Sequence, residues 1–106
     1  MSLDVTLIED GEEVYEANIT HNLGKMADEA GIYYELWRPK EVGATHARDI
    51  IEAVQVGLKK MEDDPDKYKE WDSSNGWGLY IHFIPWIRNY LEACKEHPDA
   101  VIEVDR

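Results

Sequence analysis

Hydrophobic and polar residues alternate over residues 3–8, with Val5 and Leu7 on the same side of the pattern. A period of two predicts a β-strand that buries one face. Residues 9–11 (Glu-Asp-Gly) are typical of a turn, and a second extended run covers residues 14–19. Residues 3–19 are therefore predicted to form a β-hairpin.

Farther along the chain, the hydrophobic residues repeat every three or four positions, which is the period of an amphipathic helix. This pattern predicts a short helix over residues 21–30 and a longer one from Thr45 to Met61. A third apolar stripe runs from Tyr80 to Cys94. Pro85 interrupts that stripe, so the last helix is expected to begin a turn or less before Pro85 or to kink there.

The remaining apolar segments complete the predicted fold. Residues 32–37 are compatible with a strand or a helix, whereas residues 100–104 predict a final strand. The sequence thus predicts a single α+β domain over residues 1–106. Its small antiparallel sheet, made of the N-terminal hairpin and the C-terminal strand, would pack against about three helices.

Composition narrows the class of protein. The chain of 106 residues carries a formal net charge of −12, which disfavours direct binding to nucleic acid or to an anionic membrane. Such a charge suits a basic protein partner or imitation of a nucleic acid. The single Cys94 cannot form an internal disulfide, and no signal peptide or membrane-spanning run is apparent. We therefore expect a cytoplasmic protein.

A first cluster of polar residues lies where the second strand is predicted to pass into a helix. Asn18, Thr20, His21 and Asn22 supply donors and acceptors, and the start of a helix favours an anionic or amide-rich ligand. The alternative is that Thr20 caps the helix and the asparagines stabilise the turn.

Aromatic and polar residues form two further clusters. Asn75 and Trp77 lie in a glycine-containing segment, and Trp37 is followed by Arg38. Indole rings stack on planar ligands with about 1–3 kcal/mol for each contact. The alternative is that four Trp and six Tyr fill a small core and an oligomer interface. This abundance of aromatic residues leads us to expect a homo-oligomer.

If the protein binds a ligand, these three segments should lie close together in the fold. A small heterocyclic or anionic ligand needs aimed donors, a flat apolar wall and, in so acidic a protein, a local positive charge. Arg38 and the helix start at His21 are the candidates for that charge.

An enzymatic function has less support from the sequence. His21, His46, His82 and His97 show no zinc-binding spacing, and no Ser-nucleophile, phosphate-loop or dinucleotide-binding fingerprint occurs. Cys94 belongs to an apolar stripe, where a thiol is typically a buried hydrophobic group. We therefore expect no catalytic residue, no metal and no cofactor. A His21-dependent hydrolase or transferase remains a third interpretation.

Four sequence strings carry a resemblance to a known group of proteins. They are NITHNLG from residue 18, LWRP from residue 36, NGWG from residue 75 and YLEACKEHPDA from residue 90. Together they resemble a family of small uncharacterised proteins of phages and prophages, over most of the chain from Val14 onward. Pro85 departs from the uninterrupted helix expected in that family.

The resemblance implies an accessory protein that antagonises host defence or tunes host metabolism. The leading hypothesis is a non-enzymatic protein that binds and sequesters a nucleotide-type small molecule in the host cell. The main alternative is an acidic antagonist that occupies the basic site of a host protein.

Overall fold

The computed structural model describes residues 2–106, and this part of the chain contains three β-strands and five α-helices. The strands are β1 (Ser2–Glu9), β2 (Glu12–Thr20) and β3 (Val101–Asp105). The helices are α1 (Gly24–Glu29), α2 (Tyr33–Trp37), α3 (Ile51–Asp63), α4 (Pro65–Lys69) and α5 (Tyr80–Glu96). Short 3-10 turns span His21–Leu23, Pro39–Val42 and Ala47–Asp49. The predicted α+β fold is confirmed.

The sheet is antiparallel, with β1 in the centre and the order β2-β1-β3. Asp10 and Gly11 join the hairpin with φ values of 54° and 80°, the backbone that a tight turn between twisted strands requires. The register pairs Ser2 with Thr20. This pairing brings the start of β1 beside the corner where β2 ends.

One face of the sheet is buried beneath the helices. Leu3, Val5 and Leu7 of β1 are completely buried, as their alternation predicts. Helix α5 packs on this face, where Tyr90 stacks on Tyr15 of β2 with 5.9 Å between the ring centroids. The opposite face of the sheet carries exposed polar side chains, among them Asp4, Glu16, Asn18, Glu103 and Asp105.

Most of the aromatic side chains are packed in the core. Trp37, Phe83, Trp86 and Tyr90 form a continuous row whose successive ring centroids lie 6.4, 6.1 and 5.6 Å apart. The core therefore takes up many of the aromatic side chains, but not all of them. The exposed aromatic side chains are Tyr34, Trp71 and Trp77.

The helix predicted from Thr45 begins later, at Ile51. The Asp49 carboxylate accepts hydrogen bonds from the backbone nitrogens of Thr45 and His46, both at 3.0 Å. These bonds lower the pKa of Asp49 and fix residues 45–49 as a turn in front of the helix. Helix α3 ends at Asp63, two residues before Pro65, which opens α4.

Two other helix boundaries differ from the sequence-based prediction. The segment predicted as one helix over residues 21–30 is a 3-10 turn followed by the six-residue α1. Helix α5 begins at Tyr80, more than a turn before Pro85, and continues through the proline. The Asp72 carboxylate accepts a 2.7 Å hydrogen bond from the Tyr80 backbone nitrogen and so supports this earlier start.

Within residues 2–106, no helix combines the length and the apolar character needed to cross a bilayer.

Candidate functional site

A cavity of about 760 Å³ opens between the end of β2 and the loop that leads into α5. This volume lies within the range of small-molecule sites. One wall comes from the corner after β2, and the other comes from the loop 72–79 and the start of α5. The lining residues are Ser2, Asn18, Ile19, Thr20, His21, Asn22, Leu23, Asn75, Gly76, Trp77, Gly78, Leu79 and His82.

The corner after β2 is held by local hydrogen bonds. Thr20 Oγ1 accepts from the backbone nitrogen of Asn22 at 3.2 Å, which is the capping role expected of threonine before a helix. The Asn22 side chain reaches farther, because its Nδ2 donates to the Trp77 carbonyl at 2.7 Å. Asn22 therefore connects the two walls of the cavity.

The opposite wall depends on an asparagine turn and a glycine. Asn75 Oδ1 accepts from the Trp77 backbone nitrogen at 2.9 Å, which closes the turn. Gly78 has a φ of 113°, and a Cβ atom at this position would come within 2.9 Å of Asn22 Cβ. Only glycine allows the loop to approach the β2 corner this closely.

Trp77 is the most exposed large hydrophobic residue in the described part of the chain, with 72% of its surface accessible. An exposed indole ring offers a large apolar surface that a planar ligand or a partner can cover. Trp77 is one of the lining residues, which makes its ring a candidate to contact a planar molecule that enters the cavity.

His21 lines the cavity from the other side, and a core residue fixes its ring. Trp37 Nε1 donates to His21 Nδ1 across 2.9 Å. Because an indole nitrogen is a donor only, His21 Nδ1 must be the acceptor. The proton of the neutral imidazole therefore lies on Nε2, the ring nitrogen that points away from Trp37.

Asn18 forms part of the same wall near the start of β1. Its Nδ2 donates to Ser2 Oγ at 2.8 Å and to Asp4 Oδ1 at 2.5 Å. The amide nitrogen is thus already engaged by neighbouring side chains across the strand pair. Within the cavity, Asn18 contributes shape and its carbonyl oxygen rather than a free donor.

The structure does not bring Trp37 and Arg38 to the cavity lining. Trp37 is 2% exposed and stacks on Tyr33 with 5.5 Å between the ring centroids. It lies behind His21 as a core residue. Arg38 faces a separate cavity of about 340 Å³ and forms an ion pair with Glu41 at 2.9 Å. The positive patch expected from Arg38 and the helix start is therefore not found at the cavity.

The cavity differs from the rest of the molecule in its charge. Among residues 2–106, its lining includes no Asp, Glu, Lys or Arg, although the chain carries 34 such residues, 11 basic and 23 acidic. The polar groups that face it are amides, hydroxyls, backbone atoms and the imidazoles of His21 and His82. Such a site suits an uncharged ligand with hydrogen-bonding edges.

Sequence reasoning missed His82 and Ser2 as lining residues. His82 lies on the first turn of α5, two residues after Tyr80. The sequence offered one signal for it, its short distance along the chain from the segment with Asn75 and Trp77. No comparable signal marked Ser2, because its position depends on the register of β1 with β2.

Metal chemistry finds no support in this geometry, since no group of three or more His, Cys, Asp or Glu side chains among residues 2–106 is placed to hold an ion. Cys94 is buried, and burial raises the pKa of its thiol to about 12. A thiol in this state is a poor nucleophile.

The chain matches no protein-family model, no curated protein and no solved structure.

Proposed function

We propose that this chain is a small non-enzymatic binding protein that holds a nucleotide-type small molecule in the cavity between β2 and α5. The observation that carries the proposal is the composition of this cavity. It combines an exposed indole ring, several amide groups and two imidazoles with an absence of charged side chains among the described lining residues.

These groups match the chemistry of a nucleobase. A base offers a flat ring that can stack on Trp77, which stabilises such complexes by about 1–3 kcal/mol. It also has donors and acceptors on its edge, which can pair with the side-chain oxygen of Asn22, the side-chain nitrogen of Asn75 and the His21 ring. Part of the cavity wall is held by hydrogen bonds between its own residues, so less ordering would accompany binding.

The biological role that we attach to this binding is sequestration in the cytoplasm of a host cell. This part of the proposal rests on the resemblance to small phage and prophage proteins. Removing a small signalling nucleotide from a defence pathway requires a binding site and no catalysis, which agrees with the arrangement of His21.

The orientation of His21 favours binding over general-base catalysis. A histidine base needs a lone pair directed at its substrate, commonly with its other nitrogen donating to a carboxylate. In the neutral ring of His21, the lone pair at Nδ1 is engaged by Trp37. The nitrogen directed away from Trp37 carries the proton and can donate a hydrogen bond.

A second candidate function is an acidic antagonist of a host protein. The exposed sheet face carries Asp4, Glu16, Glu103 and Asp105, with Asp4 paired opposite Asp105 in the register and Thr6 opposite both glutamates. Four exposed carboxylates on one face suit a basic partner. None of these four carboxylates lines the cavity, but Ser2, Asn18 and Thr20 belong to both this face and the cavity lining, and Asn18 donates to Asp4. Glu16 and Glu103 are therefore the positions at which mutation separates the two functions.

The two exposed tryptophans provide the test of the leading proposal. Trp77→Ala removes the ring that lines the cavity, whereas Trp71→Ala removes a ring that is 40% exposed and does not line it. We expect liquid chromatography with mass spectrometry to detect a small molecule released from purified wild-type protein and from Trp71→Ala. Trp77→Ala should retain about tenfold less of this molecule than the wild type.

Equal retention by both variants would contradict the proposal. Capture of a basic host protein that is lost when Glu16 and Glu103 are replaced by glutamine, and kept by Trp77→Ala, would favour the antagonist instead.

A further inference from the structure

We infer that the cavity recognises the uncharged heterocycle of a nucleoside. His21 Nε2 donates a hydrogen bond to an acceptor atom on that heterocycle. Trp37 keeps the proton for this bond on Nε2. The inference rests on the proposed function and narrows its ligand class. It also assigns a role to Trp37 as a positioning residue.

The first support is the Trp37–His21 contact. Trp37 Nε1 lies 2.9 Å from His21 Nδ1 and has a proton that only an acceptor can receive. If the proton of His21 were on Nδ1, this N–H group would face the N–H group of Trp37. The neutral ring is therefore held as a donor at Nε2, and it can distinguish an acceptor from a donor on the ligand.

The second support is the rigidity of Trp37. Its side chain is 2% exposed, lies parallel to the Tyr33 ring within 10° and contacts the edge of Phe83. An indole packed in this way cannot rotate to follow a mobile histidine. The donor at His21 Nε2 is therefore oriented before the ligand arrives, which reduces the entropy lost on binding.

The third support concerns the phosphate of a nucleotide. The described lining of the cavity contains no Lys or Arg, and the chain carries a net charge of −12. A phosphate in the cavity would lack a cation and would be repelled by the surrounding protein. The nucleoside part would therefore be bound, with any phosphate directed to solvent.

The ligand class is tested with the four common ribonucleosides and their 5′-monophosphates as probes. Isothermal titration calorimetry at low and at high NaCl concentration measures each affinity. We expect at least one nucleoside to bind and its monophosphate to bind more weakly. The difference should shrink at high salt, because salt screens the repulsion of the phosphate.

Two variants of His21 test the assigned donor. His21→Asn keeps an acceptor near the position of Nδ1 but removes the donor at Nε2, so it should lower nucleoside affinity by about tenfold. His21→Gln places an amide near the position of Nε2 and should retain more of the affinity. Equal affinities in wild type and His21→Asn would overturn the inference.

The tautomer is measured without any ligand. Nitrogen chemical shifts of His21 in wild-type protein should identify the neutral ring with its proton on Nε2. Trp37→Phe, which removes the indole N–H, should give a mixture of both tautomers. A wild-type ring protonated on Nδ1 would overturn the inference even if the Phe variant is too unstable to examine.

The outcomes separate this inference from the proposed function. Tighter binding of a monophosphate than of its nucleoside, lost in Trp77→Ala, would leave the proposed function standing and refute the inference. Binding of neither class of probe would refute both.

Discussion

Two tyrosines of α5 bury their hydroxyl groups in opposite circumstances. Tyr80 Oη donates to the Met61 carbonyl at 2.7 Å. Tyr90 is completely buried, and its hydroxyl finds no hydrogen-bond partner among residues 2–106. A buried hydroxyl without a partner loses its contacts with water and gains nothing in return.

The first prediction compares these two residues. Tyr90→Phe should raise the free energy of unfolding by up to about 1 kcal/mol, because it removes a polar group and keeps the ring stack on Tyr15. Tyr80→Phe should lower it by about 1 kcal/mol, since the Met61 carbonyl would lose its partner. Urea denaturation of both variants checks the opposite signs, and a loss of stability in both would contradict them.

At the same scale, sequence adjacency explains which site residues could be predicted. Asn18, Thr20, His21 and Asn22 are neighbours along the chain, so their proximity in space needed no knowledge of the fold. Trp37 and Arg38 are also adjacent, but α2 ends at Trp37, and Arg38 follows it with a non-helical backbone at φ −141° and ψ 55°. Trp37 is buried in the core, whereas the Arg38 side chain stays partly exposed and pairs with Glu41, and no local pattern indicated this difference.

At the scale of elements, α3 approaches the turn between α1 and α2 very closely. Gly57 lies on the buried side of α3, and a Cβ atom there would overlap Ile32 Cγ2 and come within 3.1 Å of the Ala30 carbonyl oxygen. Val56, the preceding residue, is 52% exposed. The two positions have the same helical backbone and opposite environments.

The second prediction uses this contrast. Alanine is the better helix former at both positions, so propensity alone would make both substitutions neutral or stabilising. Val56→Ala should change the free energy of unfolding by no more than a few tenths of a kcal/mol. Gly57→Ala should destabilise the protein by about 1–3 kcal/mol, because the added methyl group displaces the packed turn. Thermal unfolding of both variants measures the difference, and a stabilised Gly57→Ala would show that the turn can move away.

Element types were easier to predict than element ends. Periodicity identified β1, α3 and α5, and extended or apolar runs next to turn residues indicated β2 and β3. The start of α3 was predicted too early because the apolar pattern continues through residues 45–50. The Asp49 carboxylate competes there by binding the backbone nitrogens of Thr45 and His46.

At the scale of the whole molecule, several buried groups must remain protonated. Burial raises the pKa of Cys94 from its ordinary 9.0 to about 12. Desolvation also raises the pKa values of Tyr90, Tyr15 and Tyr80 above the ordinary tyrosine value of 10.0. In the unfolded chain these groups lose their protons first, so the unfolded state binds fewer protons at alkaline pH.

The third prediction follows from the sign of this difference. The stabilising effect of burying neutral groups is fully present below pH 9.0 and is lost progressively as the pH rises toward about 12. The free energy of unfolding in urea should therefore decrease across this window. The free energy of unfolding of Tyr90→Phe should decrease less across the same window, because this variant has one titrating group fewer. A constant free energy of unfolding across the window would contradict the assignment.

The surface charge also restricts how copies of the chain could associate. With a net charge of −12, two copies repel each other across most orientations. Trp77, a lining residue, is 72% exposed, and Ile81, which precedes the lining residue His82 in the chain, is 60% exposed; we call these two side chains the rim. Because the cavity lining also lacks charged residues within the described chain, this rim is where a second copy could approach with least repulsion.

The last prediction is therefore a homodimer that forms through this rim and strengthens with salt. Screening weakens the repulsion between the acidic copies but leaves the burial of Trp77 and Ile81 favourable. Static light scattering should report about twice the chain mass of 12.3 kDa at high NaCl concentration, with a smaller average mass at low salt. Ile81→Asp should give the monomer mass under both conditions, whereas Val56→Asp, equally charged but on α3, should still dimerise. A monomer mass for the wild type at high salt would rule out this association, and the exposed rim would then serve ligand binding alone.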